Sequence, residues 1–244
     1  EEADHAWATY LAMKGNNTVV ATFGMQIQKS VKCLFCHNTR WNFEGDTDLR
    51  VPLPAAALGL EAAAAVGPGI DCSLKDCIQA CFKEVSGARF CPKCDGFTSS
   101  TTTNSIYRFP RILVIQVNRS TGYNEMQKLN NRLSFPLQGL DLQPFLAPGA
   151  HATAAPGLGG GQRPKGSSTA RGVYDLVGVA NHFGQTLENG HYVAQCRRRD
   201  GKWWTFNDAA VSSGADFKSE GSREAQVLFY ALQEDPVMGA GGKG

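Results

Sequence analysis

The sequence predicts an α+β fold whose sheets are rich in antiparallel strand pairs. Residues 189–208 have the pattern of a strand, a tight turn and a second strand, and such a hairpin pairs its strands in antiparallel fashion. Residues 111–118 form a short β-branched and apolar run that is typical of a buried central strand. Residues 3–14 and 74–85 repeat their apolar side chains at helical spacing instead, so both element types contribute to the fold.

Both predicted helices also carry boundary signals. The first begins with acidic residues, which suit a helix N-terminus. The second follows Ser73, a capping residue, with Asp76 three positions later, and Gly87 is its predicted end. Residues 18–35, between the two helices, mix β-branched and apolar side chains and are expected to form strands.

Three stretches are poor in large apolar residues and predict no packed structure. Residues 54–69 and 147–172 are rich in Ala, Gly and Pro, which favours loops or disordered insertions, and the second is a low-complexity insertion. The segment 234–244 is predicted to be a disordered tail.

The composition limits the classes of function. The chain has 244 residues, of which 42% are hydrophobic, so it can bury a sizeable core. The net charge of +2 gives no general attraction to nucleic acid or to a membrane surface, and no apolar run approaches the roughly 18 residues of a membrane-spanning helix. The chain starts at Glu1 with no Met and no basic-then-apolar leader, which predicts a piece of a longer protein without a secretory signal.

Two C-x-x-C motifs predict a metal site. Cys33 and Cys36 form one motif, and Cys91 and Cys94 form the other. Each motif supplies two thiolates from one tight turn, so together they complete the four ligands of a closed structural zinc site. The interval between them is longer than in a simple zinc ribbon, but it contains the second predicted helix and can form an excursion that returns the chain.

Alternatives exist for each motif taken alone. Residues 33–37 match the C-x-x-C-H pattern of haem attachment, and residues 91–94 resemble a redox C-P-x-C motif. Neither of these explains both motifs, and unrelated buried thiols are a third alternative; structural zinc is favoured over all three. Three further cysteines are predicted to be buried core residues rather than ligands, because they lie on or beside the apolar face of the second helix: Cys72, Cys77 and Cys81.

The 189–208 hairpin places His191 near a residue that can orient its ring. If the turn is the two-residue Asp200-Gly201, Asp208 shares a face of the hairpin with His191. If the loop is one residue longer, Asn207 takes that face, because a slip of one residue exchanges the two faces. Periodicity leaves both candidates open, and either would complete two thirds of a nucleophile–base–orienter triad.

Strand parity also excludes a nearby nucleophile. Cys196 lies five residues after His191 and therefore projects from the opposite face of the strand, unless a bulge intervenes. The competing interpretation is an ordinary hairpin with a surface histidine. Gly190 counts against it, since a glycine permits the close approach of another part of the chain.

Several motifs in a fixed order resemble the ubiquitin-specific proteases. Asn189-Gly190-His191-Tyr192, followed by Trp203 and Phe206-Asn207-Asp208, is similar to the histidine box of that family. The remaining similar segments follow in the family's order: 23–33, 73–94, 109–115, 135–142, 174–179 and 227–230.

The resemblance implies a papain-like fold described as fingers, palm and thumb, with the thumb mostly missing. Residues 1–233 would be a partial catalytic domain, with 1–14 as the end of the thumb, 15–105 mainly as fingers and 106–233 mainly as palm. The four cysteines of the two motifs would hold one structural zinc ion at the fingertips. The implied partners are ubiquitin and ubiquitinated proteins, with no nucleic acid and no membrane.

The resemblance also implies roles for individual residues. In the family's motif, His191 corresponds to the general base and Asn207 corresponds to the residue that orients it. Asp208 corresponds to the adjacent polar position. Substrate contacts are expected at Gly190, Tyr192 and His182. His182 is expected in the loop before the histidine box, where a solvated histidine is the simpler interpretation.

Two departures from the family pattern stand out. The N-terminal box that carries the family's catalytic cysteine is absent, so the nucleophile is expected upstream of Glu1 and this chain alone is expected to be inactive. Gln226 replaces the aromatic residue usual before Val-Leu-Phe-Tyr, which is expected to be a minor core change.

The predicted function is therefore thiol-dependent hydrolysis of isopeptide or peptide bonds at the C-terminal glycine of ubiquitin. A non-catalytic ubiquitin-binding zinc module is the alternative. A zinc-ribbon nucleic-acid binder is disfavoured because the basic run 197–199 is isolated and suits a solvated turn. The expected location is intracellular, in the cytoplasm or nucleus of a eukaryotic cell.

Overall fold

Two β-sheets organise the part of the chain that the structure describes. The structure is a computed structural model, and it describes residues 1–15, 17–53, 72–120, 128–150, 172–214, 217 and 221–233. The helices are α1 (Glu2–Lys14), α2 (Thr18–Phe23) and α3 (Leu74–Phe82), with a 3₁₀ turn at Gln143–Phe145. The strands are β1 (Met25–Cys33), β2 (Thr39–Asp46), β3 (Leu49–Pro52), β4 (Cys72–Ser73), β5 (Val85–Cys91), β6 (Gly96–Arg108), β7 (Ile112–Asn118), β8 (Leu133–Ser134), β9 (Leu140–Asp141), β10 (Val173–Phe183), β11 (His191–Arg197), β12 (Trp203–Asn207), β13 (Ala210–Ser213) and β14 (Ala225–Leu232).

The four-stranded sheet is fully antiparallel, with the strand order β2-β1-β6-β5. Two hairpins, β1–β2 and β5–β6, are joined through the central β1–β6 pair. At the far end of this sheet both hairpin turns therefore lie side by side. At the near end Ile106 of β6 enters the main core.

The eight-stranded sheet has the order β13-β12-β11-β10-β14-β7-β3, and β9 pairs with β10 beside this path. Its pairs are antiparallel except β3 with β7. β7 is the buried central strand predicted at 111–118, and Leu113 and Ile115 within it are fully buried. α3 packs beside β3 on this sheet, and the short pair β4–β8 adjoins it. The α+β class with antiparallel-rich sheets is thus confirmed.

Helix α1 confirms the helix predicted at 3–14, and it packs against the four-stranded sheet. The ring of Tyr10 lies so close to Gly45 of β2 that a Cβ there would stand 2.5 Å from it. The side-chain amide of Gln26 donates a buried hydrogen bond of 2.8 Å to the carbonyl of Ala3. Arg108 at the end of β6 pairs with Asp4 on the same helix.

The structure corrects two predicted boundaries. Residues 18–23 form α2 rather than a strand, because the Asn17 side chain accepts a 3.1 Å hydrogen bond from the Val20 amide and caps a short helix. The helix after Ser73 ends at Phe82 instead of Gly87, since residues from Val85 onward pair with β6. The Ser73 cap is confirmed, because its hydroxyl accepts from the Asp76 amide at 3.1 Å.

The predictions for low-complexity stretches fall largely outside the described residues. The stretch 54–69, all but the ends of 147–172 and the tail 234–244 lie there. β3 and α3, which the sequence analysis grouped with the fingers range 15–105, lie with the eight-stranded sheet.

Candidate active site and metal centre

Two hairpin turns bring the four cysteines together. The first C-x-x-C occupies the turn after β1, and the second occupies the turn between β5 and β6. The β1–β6 ladder, which pairs Cys33 with Ser100, places these turns next to each other. Each turn closes through a non-glycine residue with positive φ directly after its second cysteine, His37 at 58° and Asp95 at 50°. His and Asp are among the side chains that tolerate this left-handed conformation best.

The sulfur positions fit a tetrahedral ion. All four Sγ atoms lie within 4.8 Å of one another. The Sγ atoms of Cys33 and Cys94 are 3.9 Å apart, and those of Cys36 and Cys91 are 3.6 Å apart. A zinc ion with Zn–S bonds of about 2.3 Å requires tetrahedral edges of about 3.8 Å. The spacing therefore matches the ligand shell of zinc, and these cysteines can hold a metal ion.

The electrostatics of the cluster favour a bound cation. The backbone N–H of Cys36 points at Cys33 Sγ, with an N···S distance of 3.5 Å, and is the main cause that lowers the pKa of Cys33 to about 6. The backbone N–H of Cys94 lowers the pKa of Cys91 in the corresponding way. The pKa of Cys94 is raised to about 12, chiefly by its contact with the Cys36 thiol. Four thiolates in this volume need a divalent cation between them.

The cysteines near α3 are separate from this cluster. Cys72 and Cys77 are buried, and burial raises the pKa of Cys77 to about 12. The Cys81 thiol, with its pKa raised by burial to about 11, donates to the carbonyl of Arg50 at 3.2 Å. Among the described residues, the cysteines that gather as metal ligands are those of the two C-x-x-C motifs.

The register of the β11–β12 hairpin decides which residue faces His191. The ladder pairs Arg197 with Trp203 and Ala194 with Phe206, and Arg198 N–H donates to the Lys202 carbonyl at 2.9 Å. The turn is therefore one residue longer than a two-residue Asp200-Gly201 turn, and Gly201 takes a positive φ of 80° within it. With this register Asn207, not Asp208, lies on the face of His191.

His191, the first residue of β11, and Asn207, the last residue of β12, form a direct contact at the exposed ends of these strands. The distance from His191 Nε2 to Asn207 Oδ1 is 2.5 Å. Asp208 begins the turn to β13 with a positive φ of 49°, and its Oδ2 stands 3.9 Å from the same nitrogen. Its side chain is 82% exposed, so water screens this longer interaction. The short hydrogen bond that Asn207 Oδ1 accepts is what fixes the ring.

Cys196 lies on the other face of β11, as strand parity predicted. The β10–β11 ladder runs from Gly178–Cys196 to Phe183–His191 without a register shift, so no bulge reverses the alternation. Burial raises the pKa of the Cys196 thiol. Among the described residues, His191 forms no hydrogen bond with a cysteine.

The environment of Gly190 shows why a glycine precedes His191. A Cβ at this position would stand 2.3 Å from Nε2 of His182 and 2.6 Å from the carbonyl oxygen of Phe183. The His182 ring lies 4.7 Å from the Tyr192 ring, centroid to centroid, in a tilted arrangement. His182 belongs to β10 and is 2% exposed, so the expectation of a solvated loop histidine was wrong. Burial, reinforced by the charge of Lys128, lowers the pKa of His182.

A solvent-accessible cavity of about 460 Å³ adjoins this cluster. The Tyr192 hydroxyl donates to Oε1 of Gln226 at 3.1 Å, and both side chains line the cavity together with Leu187. Gln226 is therefore a half-buried wall residue of the cavity, and the expectation of a minor core change was wrong. The sequence analysis also missed Lys128, a buried lysine whose ammonium group contacts the segment before His191.

The comparisons with known proteins agree with these features. A sequence profile described as ubiquitin carboxyl-terminal hydrolase matches residues 5–230. Ubiquitin carboxyl-terminal hydrolase 21 of Mus musculus is 32% identical over 242 residues, which is 97% of this chain and 37% of the relative. The Homo sapiens protein of the same name is 32% identical over 241 residues, with the same two coverages. The chain thus spans 37% of the length of these relatives.

A solved structure shows the same fold. The structure of the SAGA Ubp8/Sgf11/Sus1/Sgf73 DUB module bound to ubiquitin aldehyde matches with a TM-score of 0.65 and 21% sequence identity. The match covers 96% of this chain and 48% of that chain. In the described residues every helix is too short or too polar to traverse a bilayer. The profile match over most of the sequence, together with these relatives, confirms the resemblance: the chain belongs to the ubiquitin carboxyl-terminal hydrolase family.

Proposed function

We propose that this chain is part of a deubiquitinating cysteine protease and supplies the base and the orienting residue of its active site. The observation that supports this most directly is the 2.5 Å contact between His191 and Asn207 in a member of this family. The reaction is thiol-dependent hydrolysis of an isopeptide or peptide bond at the C-terminal glycine of ubiquitin.

The contact assigns the two ring nitrogens of His191. The amide oxygen of Asn207 is only an acceptor, so Nε2 of His191 carries the hydrogen and donates it. In the neutral ring the lone pair then belongs to Nδ1, which is the atom that takes the proton of a cysteine thiol and later returns it to the leaving amine. A carboxylate is not required in this arrangement, because a thiol can transfer its proton to imidazole directly and the third group only fixes ring and tautomer. Asp208 adds a nearby negative charge.

The substrate contacts proposed at Gly190, Tyr192 and His182 rest on their position beside the base. Tyr192 follows His191 in β11, is exposed, and lines the cavity on the opposite face of the strand. The His182 ring packs against the Tyr192 ring, and Gly190 lacks the Cβ that would collide with the His182 ring. Ubiquitin and ubiquitinated proteins are the proposed partners, in keeping with the ubiquitin aldehyde bound to the matched DUB module.

The four clustered cysteines are proposed to hold one structural zinc ion per chain. The fit rests on the Sγ spacings, which agree with a tetrahedral zinc–thiolate shell. When bound, the ion would cross-link the two hairpins and take no part in proton transfer. All eight cysteines are free thiols, as expected for a reducing compartment, and the cytoplasm or nucleus of a eukaryotic cell is the proposed location.

The nucleophile is proposed to come from outside this chain. Four of the eight cysteines belong to the metal cluster, three lie around α3, and Cys196 projects away from His191. The chain alone is therefore expected to release no fluorophore from a ubiquitin C-terminal fluorogenic substrate. Turnover by the isolated chain would contradict this assignment.

The decisive experiment uses the longer protein with the same substrate. His191→Ala should lower kcat by at least about 10²-fold, the usual contribution of a general base. Asn207→Ala should lower kcat and leave KM nearly unchanged, because it affects ring orientation and not substrate binding. His5→Ala on the exposed side of α1 is the matched control and should have no effect. If the unmodified longer protein binds ubiquitin without turnover, the non-catalytic ubiquitin-binding module is correct instead.

A further inference from the structure

Lys128 is a buried cation whose hydrogen bonds go to backbone carbonyls. The residue is 8% exposed. Its Nζ donates to the carbonyl of His182 and, at 3.3 Å, to that of Gly184. Burial lowers the pKa of Lys128 and the neighbouring Arg119 lowers it further, while Glu224 acts in the opposite direction. Hydrogen bonds from an ionised donor are stronger than neutral ones, so the two carbonyls are held firmly.

These two carbonyls lie at the narrow base of the loop that joins β10 to β11. A Cβ on Gly184 would stand 2.3 Å from the carbonyl oxygen of Asn189 and 2.9 Å from the Cα of Gly190. A Cβ on Gly190 would stand 2.6 Å from the carbonyl oxygen of Phe183. The two ends of the loop 184–190 are therefore in van der Waals contact. We call this base, formed by residues 182–184 and 189–191, the loop neck.

The loop neck determines where the site residues lie. His191 is the first residue of β11 and the last residue of the neck, and it pairs with Phe183 at the end of β10. Leu187 at the loop tip and Tyr192, the residue after His191, line the cavity on the opposite face of β11. The position of the neck therefore sets both the base and one wall of that cavity.

A second buried cation nearby has a different target. Arg119, which is 1% exposed, donates to the carbonyls of Ala225, Leu129, Asn131 and Ser222. It therefore ties the segment around 129–131 to the start of β14. Lys128 directly precedes this segment and forms a bridge with Ser120, next to Arg119, but its ammonium group reaches the loop neck instead. Arg119 therefore holds the segment 129–131 against the start of β14, whereas Lys128 holds two backbone carbonyls of the loop neck.

We infer that Lys128 is a positioning residue: its ammonium group clamps the loop neck and thereby holds His191 and Tyr192 in place. The clamp follows from the geometry of this chain alone. Its effect on hydrolysis rests on the function proposed above. The residue touches neither the substrate nor the reacting atoms, and it acts on them through the backbone of residues 182–184.

The test compares amide hydrogen exchange in the unmodified chain, Lys128→Met and Lys75→Met. Met matches the length of Lys and removes both the charge and the donors. Lys75 lies on the exposed side of α3, so its replacement removes the same charge away from the neck. We expect exchange of the amides at 181–183 and 191–193 to rise about 10- to 100-fold in Lys128→Met, as for the loss of charged hydrogen bonds. Exchange in β1 and β6 should stay unchanged within about twofold.

A second readout follows the ring of His191 by nitrogen-detected NMR. The unmodified chain should show one tautomer, with the hydrogen on Nε2, and Lys128→Met should show a mixture. A purely structural role would instead raise exchange evenly over the eight-stranded sheet and leave the tautomer signal unchanged. That result, or neck exchange equal to that of Lys75→Met, would overturn the inference. If Lys128→Met does not fold, Lys128→Gln is judged by the same pattern.

Neither readout involves ubiquitin. A chain that fails to bind ubiquitin would therefore count against the proposed function, and it would leave the exchange test of Lys128 valid. Conversely, an unchanged neck in Lys128→Met would overturn the clamp without affecting the assignment of His191 and Asn207.

Discussion

The two sheets of this protein are stabilised in different ways. In the four-stranded sheet, beyond the level of Ile27 and Ile106, the buried residues are Cys33, Cys91 and Ser100. Large apolar side chains at this end point into solvent, and Phe35 is 82% exposed. The eight-stranded sheet instead carries a continuous core that includes the fully buried Leu113, Ile115, Leu228 and Tyr230.

This difference indicates how each region is held together. A sheet that buries little apolar surface gains little from the hydrophobic effect, which scales with the apolar area removed from water. The end of the four-stranded sheet is therefore expected to depend on the proposed metal ion, which would cross-link its cysteine cluster. The eight-stranded sheet depends on packing, and the exposed His191 lies at the end of a strand that belongs to this packed sheet. Loss of the metal should consequently destabilise the end of the four-stranded sheet, whereas a cavity in the core should destabilise the eight-stranded sheet.

The largest expected effect is the loss of the metal cross-link. Structural zinc contributes on the order of 10 kcal/mol to folding in zinc-finger peptides. Cys91→Ser removes one of four thiolates and should abolish metal binding, which metal analysis would otherwise measure as one zinc per chain. Hydrogen-exchange protection should be lost in β1, β2, β5 and β6 near the turns, while the eight-stranded sheet keeps its protection.

Cys81→Ser is the matched control for this prediction. It changes the same atom in a cysteine outside the cluster, and a serine hydroxyl can replace the donor to the Arg50 carbonyl. Zinc content and protection should remain as in the unmodified chain. If the four-stranded sheet of Cys91→Ser keeps its full hydrogen-exchange protection, this sheet does not depend on a metal cross-link and the proposed difference between the two sheets is wrong.

A cavity in the core should produce the opposite pattern. Leu113→Ala deletes a fully buried side chain from β7 and should lower the free energy of unfolding by about 2–5 kcal/mol, as measured by urea denaturation. Zinc content should not change. Val85→Ala in β5 is the control, because that side chain is exposed and its truncation should cost less than about 0.5 kcal/mol. Equal costs for the two variants would contradict the proposed division.

Much of this division can be predicted from the sequence. Apolar periodicity predicts α1 and α3, and a continuous β-branched apolar run predicts β7. The spacing of the four cysteines predicts a cluster whose sulfur atoms the structure brings together. These signals are local, because helical spacing and turn motifs are contained within a few residues. The strand pairing that joins the two motifs is long-range, but the predicted shared ion already required the two motifs to meet.

The parts that could not be predicted depend on contacts between distant residues. The β11–β12 pattern allowed two registers, and only the observed three-residue turn places Asn207 beside His191. The burial of His182 requires Gly190 and Tyr192 to close over it, which no local pattern shows. Lys128 lies in a polar segment, and a lysine there is ordinarily exposed.

The loop neck offers a smaller and more local test of tight packing in the eight-stranded sheet. Gly190→Ala would place a methyl group 2.3 Å from Nε2 of His182, so the ring or the backbone must move. We expect a loss of about 1–3 kcal/mol in the free energy of unfolding and a shifted His182 NMR signal. Gly87→Ala in β5 is the control, since its nearest neighbour is a flexible arginine end at 3.5 Å. If Gly190→Ala is as stable as Gly87→Ala, the neck is not closely packed.

The smallest expected effect is a pH dependence that originates at His182. Burial, and secondarily the charge of Lys128, lowers the pKa of this imidazole in the folded chain. On acidification the unfolded chain therefore binds the proton first, near its ordinary pKa of about 6.5. The stability that neutral His182 contributes is present above that pH and is lost as the pH falls toward the folded pKa.

Unfolding free energies measured at pH about 7.5 and about 5.5, on either side of the ordinary pKa, should differ more for the unmodified chain than for His182→Gln. A metal ion held by the cysteine cluster would also be released in acid, but that contribution would be common to both proteins and cancel in the comparison. His5→Gln on the exposed side of α1 should behave like the unmodified chain. An identical pH dependence for His182→Gln would show that the imidazole titrates as freely in the eight-stranded sheet as it does in the unfolded chain.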